Sequence, residues 1–244
     1  MSSMHIIKDT LPRIAFSRIA LVGLKALQLA TTHELVLASR LPQDLTKALT
    51  EDLTALGVVV PQAKQVRNEA QVATSTQYTA LRLGYARVSQ IRAAVRHSNA
   101  PKDVKKAYGV GLRERNYVVR DVVAGMQMIL DRANLFPAEA EAFGILKKDT
   151  DALATELIAI TDADKAQDTK RASAPLATKE RNLTGNRVLA AVARIEAAGR
   201  LEFAQDEVVR PHFVALGTMS RSRRKEETKE APTVGAIVAQ AKQP

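Results

Sequence analysis

The 244-residue chain contains no cysteine and no tryptophan. Without thiols, disulfides, cysteine-ligated zinc, iron–sulfur clusters and a cysteine nucleophile are all excluded. Aromatic residues make up only 4% of the chain, so the interior has to be filled by aliphatic side chains and alanine. Glycine (11) and proline (9) are scarce, which excludes collagen-like and low-complexity classes. A long uninterrupted apolar run is also missing. The most apolar stretch, 14–41, is interrupted by Arg18 and Lys25 and then meets His33 and Glu34. A membrane-spanning helix needs about 20 predominantly apolar residues. A core helix is therefore expected here, and its apolar positions Ile19, Val22, Ala26, Leu29 and Val36 recur at helical steps. The segment Met1 to Asp9 lacks the charged, apolar and small-residue regions of a secretory signal. A cytoplasmic location, or one inside a larger assembly, is the expectation.

Recognisable chemistry is equally sparse. No two of His5, His33, His97 and His212 stand three or four residues apart, so a helical metal pair is missing. There is no Glu-x-x-His, no phosphate-binding loop and no Gly-x-Ser-x-Gly. Gly109-x-Gly111 is a fragment without a preceding strand or a third glycine. Glu139 and Glu141 face different sides of a helix, and Asp206-Glu207 reads as a solvated pair. His212, beside Pro211, has no assignable nucleophile or orienting carboxylate. No catalytic residue, cofactor or metal is expected, and no small-molecule substrate.

What the sequence does contain is helical periodicity. Leu45, Leu49, Leu53 and Leu56 mark a short helix that Gly57 is expected to end. Val58-Val59-Val60 reads as an extended link into Pro61, a favourable first residue for the next helix. That helix is expected to run from Pro61 to about His97, with the stripe Val66, Ala70, Ala73, Gln77, Leu81, Gly84, Val88, Ile91, Val95. After the turn Ser98–Pro101, a second long helix is expected to Asn134. Its stripe is Val104, Tyr108, Gly111, Arg115, Val118, Val122, Met126, Ile129, Ala133, with Gly109 or Gly111 as places for a bend. The two would pair as an antiparallel hairpin of matched length. Further helices are expected over 138–163, through Leu146, Leu153, Leu157 and Ile160, and over 176–216, through Val188, Val192, Ile195 and Gly199. The polar stretch 166–175 between them reads as a loop. The expected fold class is all-α: an elongated antiparallel four-helix bundle over 61–217, with an N-terminal helical extension over 1–60 and a flexible C-terminal tail over 218–244.

The formal net charge is +10. Residues 62–134 hold 13 basic and 5 acidic residues, a net +8, so the excess is local. At about 100° per residue, Lys64, Arg67, Arg82, Arg92 and Arg96 share one sector of the first hairpin helix with Tyr78 and Tyr85. Lys102, Lys105, Lys106, Arg113, Arg115 and Arg120 follow. This ridge is the candidate partner- or polyanion-binding site. An acidic protein partner would use Arg and Tyr as anchors. A nucleic acid would pair its phosphates with the basic groups and stack on tyrosine. The plainer account is that the arginine stems cover the rim of a bundle.

The end of the chain has its own pattern. A mixed-charge stretch, Arg221 to Lys229, precedes the small apolar patch Ala231 to Gln240. That is the layout of a docking peptide, with Val234, Ile237 and Val238 as anchors. Thr233-Val234-Gly235-Ala236-Ile237 is similar to the short C-terminal tags that load cargo into encapsulin shells, although Pro232 stands where those tags carry an aliphatic residue. The resemblance is confined to those residues and implies a cargo-type role. The expected function is therefore a structural or assembly protein acting on protein partners, itself included, and forming a homo-oligomer. A nucleic-acid-associated protein is the alternative, and a membrane-interacting bundle the third reading.

Overall fold

The structure, a computed structural model, describes residues 7–221. It is 79% helical and has no strand among the described residues, so the all-α expectation holds. The proposed docking anchors Val234, Ile237 and Val238 lie outside the described residues, as do His5 and most of the expected tail. The elements are α1 (Phe16–Thr32), α2 (Glu34–Leu37), α3 (Leu45–His97), α4 (Lys102–Ala107), α5 (Val119–Leu135), α6 (Pro137–Ala142), α7 (Lys147–Glu202) and α8 (Arg210–Arg221).

Two compact units are formed. One takes in the chain up to Val66 and from Ala174 onward, the other Arg67–Ser173. The division thus falls inside the expected 61–217 bundle. In the first unit the α1 positions Ile19, Val22 and Ala26 pack with Leu45, Leu49, Leu53 and Leu56 of α3, with Val188, Val192 and Ile195 of α7, and with Phe213 of α8. Each large aliphatic side chain sealed in this way contributes about 1.5–3 kcal/mol through removal of apolar surface from water. Antiparallel α3 and α7 are tied here by Arg187 to Asp52 at 2.7 Å. Arg18 Nε donates to the Met219 carbonyl at 3.0 Å, joining α1 to α8. The apolar face of α1 is therefore spent on the core, and no described helix is long and apolar enough to cross a membrane.

In the second unit the antiparallel run of α3 and α7 is marked by Lys170–Glu69 at 2.7 Å, Gln77–Asp164 at 2.6 Å and Arg87–Glu156 at 2.8 Å. Leu81, Val88, Ile91 and Val95 of α3 pack with Leu153 and Ile160 of α7 and with Val122, Met126, Ile129 and Ala133 of α5. The stripe positions expected from Leu81 to Val95 and from Val122 to Ala133 are all buried.

Several expected boundaries are corrected. Neither Gly57 nor the valine run ends a helix; α3 continues through both and through Pro61. A proline inside a helix withholds a donor from the carbonyl four residues back. Here that residue is half-buried Gly57, while Leu56, Val59 and Ala63 stay buried on the core side and hold the helix through the break. The stretch 166–175 is likewise helical, inside α7. Its lack of large apolar residues suggests a loop, but small and polar side chains carry its inner face at helical steps: Ala163 just before it is buried, and Gln167, Lys170 and Ala174 are half-buried. The single helix expected over 101–134 is divided into α4, an irregular segment and α5. Gly109, at φ 75°, closes α4 with paired bonds, Val110 N to Lys105 O at 3.0 Å and Gly109 N to Lys106 O at 2.9 Å. This left-handed ending satisfies the last carbonyls of a helix and turns the chain away. Gly144 closes α6 in the same manner, so the helix expected to begin at Ala138 restarts as α7 at Lys147. Val36 is 45% exposed rather than buried, because α1 ends at Thr32 and the phase resets, and Leu37 is buried instead. Leu146 is also exposed. The expected tail starts late, since Thr218 to Arg221 belong to α8.

Candidate partner-binding surface

The ridge expected on α3 is partly dismantled by the structure. In the second unit Arg67, Tyr78, Arg82 and Arg96 are exposed, and Tyr78 and Arg82 line a shallow open groove with Gln71, Ser75 and Thr79. Lys64 is exposed in the first unit. Tyr85 is half-buried against the core. Arg92 is corrected outright: it is buried, and no partner can reach it. The reason is its angle on the helix. Arg92 stands about 40° from Val88, against about 100° between Arg82 and Leu81, at ~100° per residue. It therefore points to the edge of the core rather than to solvent.

A set of local features receives it there. Arg92 Nε donates to the Tyr108 carbonyl at 2.9 Å. Its Nη2 lies 2.7 Å from Glu114 Oε1, at an angle that makes a charge contact rather than an aligned hydrogen bond. Both side chains are about one-tenth exposed or less, at 8% and 10%. Gly109 and Gly125 stand on either side. A Cβ at Gly109 would collide with the Arg92 guanidinium, and one at Gly125 with the Glu114 carboxylate. The ion pair thus occupies the space of a side chain at Gly125, and at Gly109 it adds to the demand of a left-handed backbone.

Tyr108 is fully buried beside this pair, edge-on to Phe143 at 6.0 Å. Its hydroxyl lacks a well-formed hydrogen bond and lies in the field of Glu139. Burial, and then the negative charge of Glu139, push the phenol up to about 12. Glu139 is itself held by Arg132 through two bonds of 2.8 and 2.7 Å, and the Arg132 guanidinium lies 3.8 Å over the Phe136 ring.

The residues between α4 and α5, 108–118, form an irregular strap fastened at both ends. Glu114 enters the core to meet Arg92. Arg115 clamps onto Asp121 at 2.7 Å, and its backbone N–H points at the same oxygen at 3.4 Å. Within the strap Leu112 is 56% exposed and Tyr117 65% exposed, and Arg113, next to Leu112 in the chain, is exposed as well. Of the acidic side chains nearby, Glu114 and Asp121 are paired with Arg92 and Arg115, while Asp103 of α4 is exposed. Arg96, Lys102, Lys106, Arg113 and Arg120 are exposed and in no ion pair among the described residues. Lys105 is the exception, donating to the Arg96 carbonyl at 2.9 Å.

The sequence placed basic residues here but put them on a regular helix. Only the left-handed demand of Gly109 could have shown that they sit on a strap. No group of His, Asp or Glu able to hold a metal occurs among the described residues. His33 is spent on ring contacts with Phe203 at 4.8 Å and Phe213 at 5.9 Å. No family model, curated protein or solved structure matches the chain.

Proposed function

We propose that the protein is a non-enzymatic assembly protein that works through protein–protein contacts of the basic face of its second unit, on other chains or on copies of itself. The observation that supports this reading is the imbalance between inner and outer charge over 96–120. Glu114 is paired with buried Arg92, and Asp121, just beyond, with Arg115; exposed Asp103 is outnumbered by exposed Arg96, Lys102, Lys106, Arg113 and Arg120, which stand alongside exposed Leu112 and Tyr117. Arginine and tyrosine are the residue types that most often anchor protein interfaces. The antiparallel helix packing expected from the sequence would serve as a stiff support for such a face.

A nucleic-acid-associated protein is the competing reading, favoured by Tyr78 standing 58% exposed beside Arg82 at the α3 groove. The test is light scattering behind size exclusion across protein concentration at low and high salt, with a parallel titration of poly-L-glutamate. The assembly reading expects a mass that rises with concentration, or a complex with the polyanionic polypeptide that weakens with salt. A monomer at every concentration that also ignores poly-L-glutamate would overturn it.

A further inference from the structure

We infer that the strap over 108–118 is the reading element of this surface, and that it takes an extended acidic protein segment carrying one apolar side chain. The inference rests on the assembly reading above and narrows it to a partner chemistry.

Leu112 and Tyr117 lie on either side of Arg113 to Asn116 in the strap and are both more than half exposed. Between them the two arginines differ in state. Arg115 is committed to Asp121, whereas Arg113 is exposed and in no ion pair among the described residues. A free guanidinium offers a planar fork suited to a carboxylate. Exposed Leu112, next to Arg113 in the chain, and exposed Tyr117 offer apolar surface for one side chain of such a segment. Lys102, Lys106 and Arg120 add positive potential around it, which speeds encounter with an acidic segment more than it holds the segment.

The strap is also pre-formed. The left-handed turn at Gly109, the Arg92–Glu114 pair and the Arg115–Asp121 clamp fix its two ends. A loop already ordered loses less conformational entropy on binding, the remaining cost being that of its exposed side chains. An acidic protein segment fits this face better than a nucleic acid. Single strands are held by successive aromatic platforms along a continuous basic track. The strap has one exposed ring, Tyr117, and an exposed aliphatic side chain, Leu112, for which a phosphate backbone has no use.

The experiment uses the full chain and a fluorescent synthetic peptide of glutamates with one central leucine. The comparison probes are the same peptide with serine for leucine and an oligothymidylate of equal charge. Arg113→Glu with Tyr117→Ser alters only exposed side chains and should fold. Arg67→Glu with Arg82→Glu places charge reversals on α3 instead. The inference expects the strap variant to lose at least about tenfold in affinity and the α3 variant to stay within about twofold. It also expects the serine peptide to bind several-fold more weakly than the leucine peptide. Glu114→Gln supplies a second line, with faster amide exchange over Val110–Tyr117 and weaker binding while the rest of the unit stays protected.

Equal losses in the two variants, an unaffected strap variant, or tighter binding of the oligothymidylate would each overturn the inference. If no probe binds yet light scattering finds a concentration-dependent oligomer, the strap inference fails and the assembly reading stands. If no probe binds and the chain is a monomer, both fail.

Discussion

Arg92 of α3 and Glu114 of the strap meet at 2.7 Å inside the second unit, each nine-tenths buried or nearly so, with one carboxylate oxygen left without a hydrogen bond. The pair joins residues that belong to different elements, and it decides where the chain between α4 and α5 runs. A buried pair of this kind is a poor source of net stability, because removing two charges from water costs about as much as their attraction returns. Its effect is on specificity of path: the strap can close only where Glu114 reaches Arg92.

Breaking one side of that pair should cost far more than replacing both. Glu114→Ala leaves a buried guanidinium without its counter-charge, and we expect a loss of about 3–5 kcal/mol. Arg92→Met with Glu114→Leu removes both charges at similar volume and should recover most of that loss. Urea unfolding midpoints of the two variants measure the difference. A Glu114→Ala protein within about 0.5 kcal/mol of the parent would show that the pair is not closed in solution.

The glycines around the strap should rank by mechanism. Gly111 sits at φ 94° with open space around it, so Gly111→Ala pays only the left-handed backbone penalty of about 1–2 kcal/mol. Gly109 has both the left-handed backbone, at φ 75°, and the Arg92 guanidinium where a Cβ would be. Gly109→Ala should therefore lower the melting temperature more than Gly111→Ala. Equal shifts would mean that Arg92 does not lie against Gly109.

The Tyr108 phenol gives a pH signature. Its folded value is raised from 10.0 to about 12, so the folded state keeps the proton longer than the unfolded chain does. The stability tied to it is fully present below about pH 10 and is lost as pH climbs toward about 12. At about 1.36 kcal/mol per pKa unit, the loss is of order 2–3 kcal/mol. Tyr108→Phe removes a hydroxyl with no well-formed hydrogen bond, so it should be close to neutral near pH 7 and should flatten the alkaline decline. A variant whose stability falls as steeply as the parent's above pH 10 would assign that decline to other groups.

How far the sequence carried the reading follows from the kind of signal each feature leaves. The core stripes were legible because apolar side chains repeat with the helix: Leu81, Val88, Ile91 and Val95 were expected inside and are inside. Punctuation is less legible: Gly57 and Pro61 carry the signals of a helix end and a helix start, and neither interrupts α3. Pro61 and Pro175 both stand inside helices; at Pro61 the buried neighbours Leu56, Val59 and Ala63 outweigh one missing donor, whereas Pro175 has no buried neighbour on its turn. The strap was hidden for the opposite reason. Val104, Val122 and Met126 kept helical phase across it, and periodicity does not register that the chain between them leaves the helix and returns. Arg92 was misplaced because an arginine near the edge of an apolar stripe looks exposed unless its counter-charge, Glu114, can be seen coming from another element.

Pro175 offers the cleanest test of that view of the breakers. It is exposed within α7, where its ring crowds the Arg171 carbonyl and denies it a donor. Nothing in its surroundings uses the ring, and Ala174 and Ala177 on the same turn are only half-buried. Restoring the N–H by Pro175→Ala should stabilise the protein by about 1–3 kcal/mol, in proportion to the interior proline penalty. Pro61→Ala should yield less. The neighbours Val59 and Ala63 are buried whichever residue stands at 61, so packing already holds the helix there. Denaturant unfolding of the two single variants decides the order. A larger gain at Pro61, or a loss at Pro175, would mean that these prolines set a local bend on which the packing of the first unit depends. The helices would then be held in that bend by tertiary contacts rather than merely tolerating it.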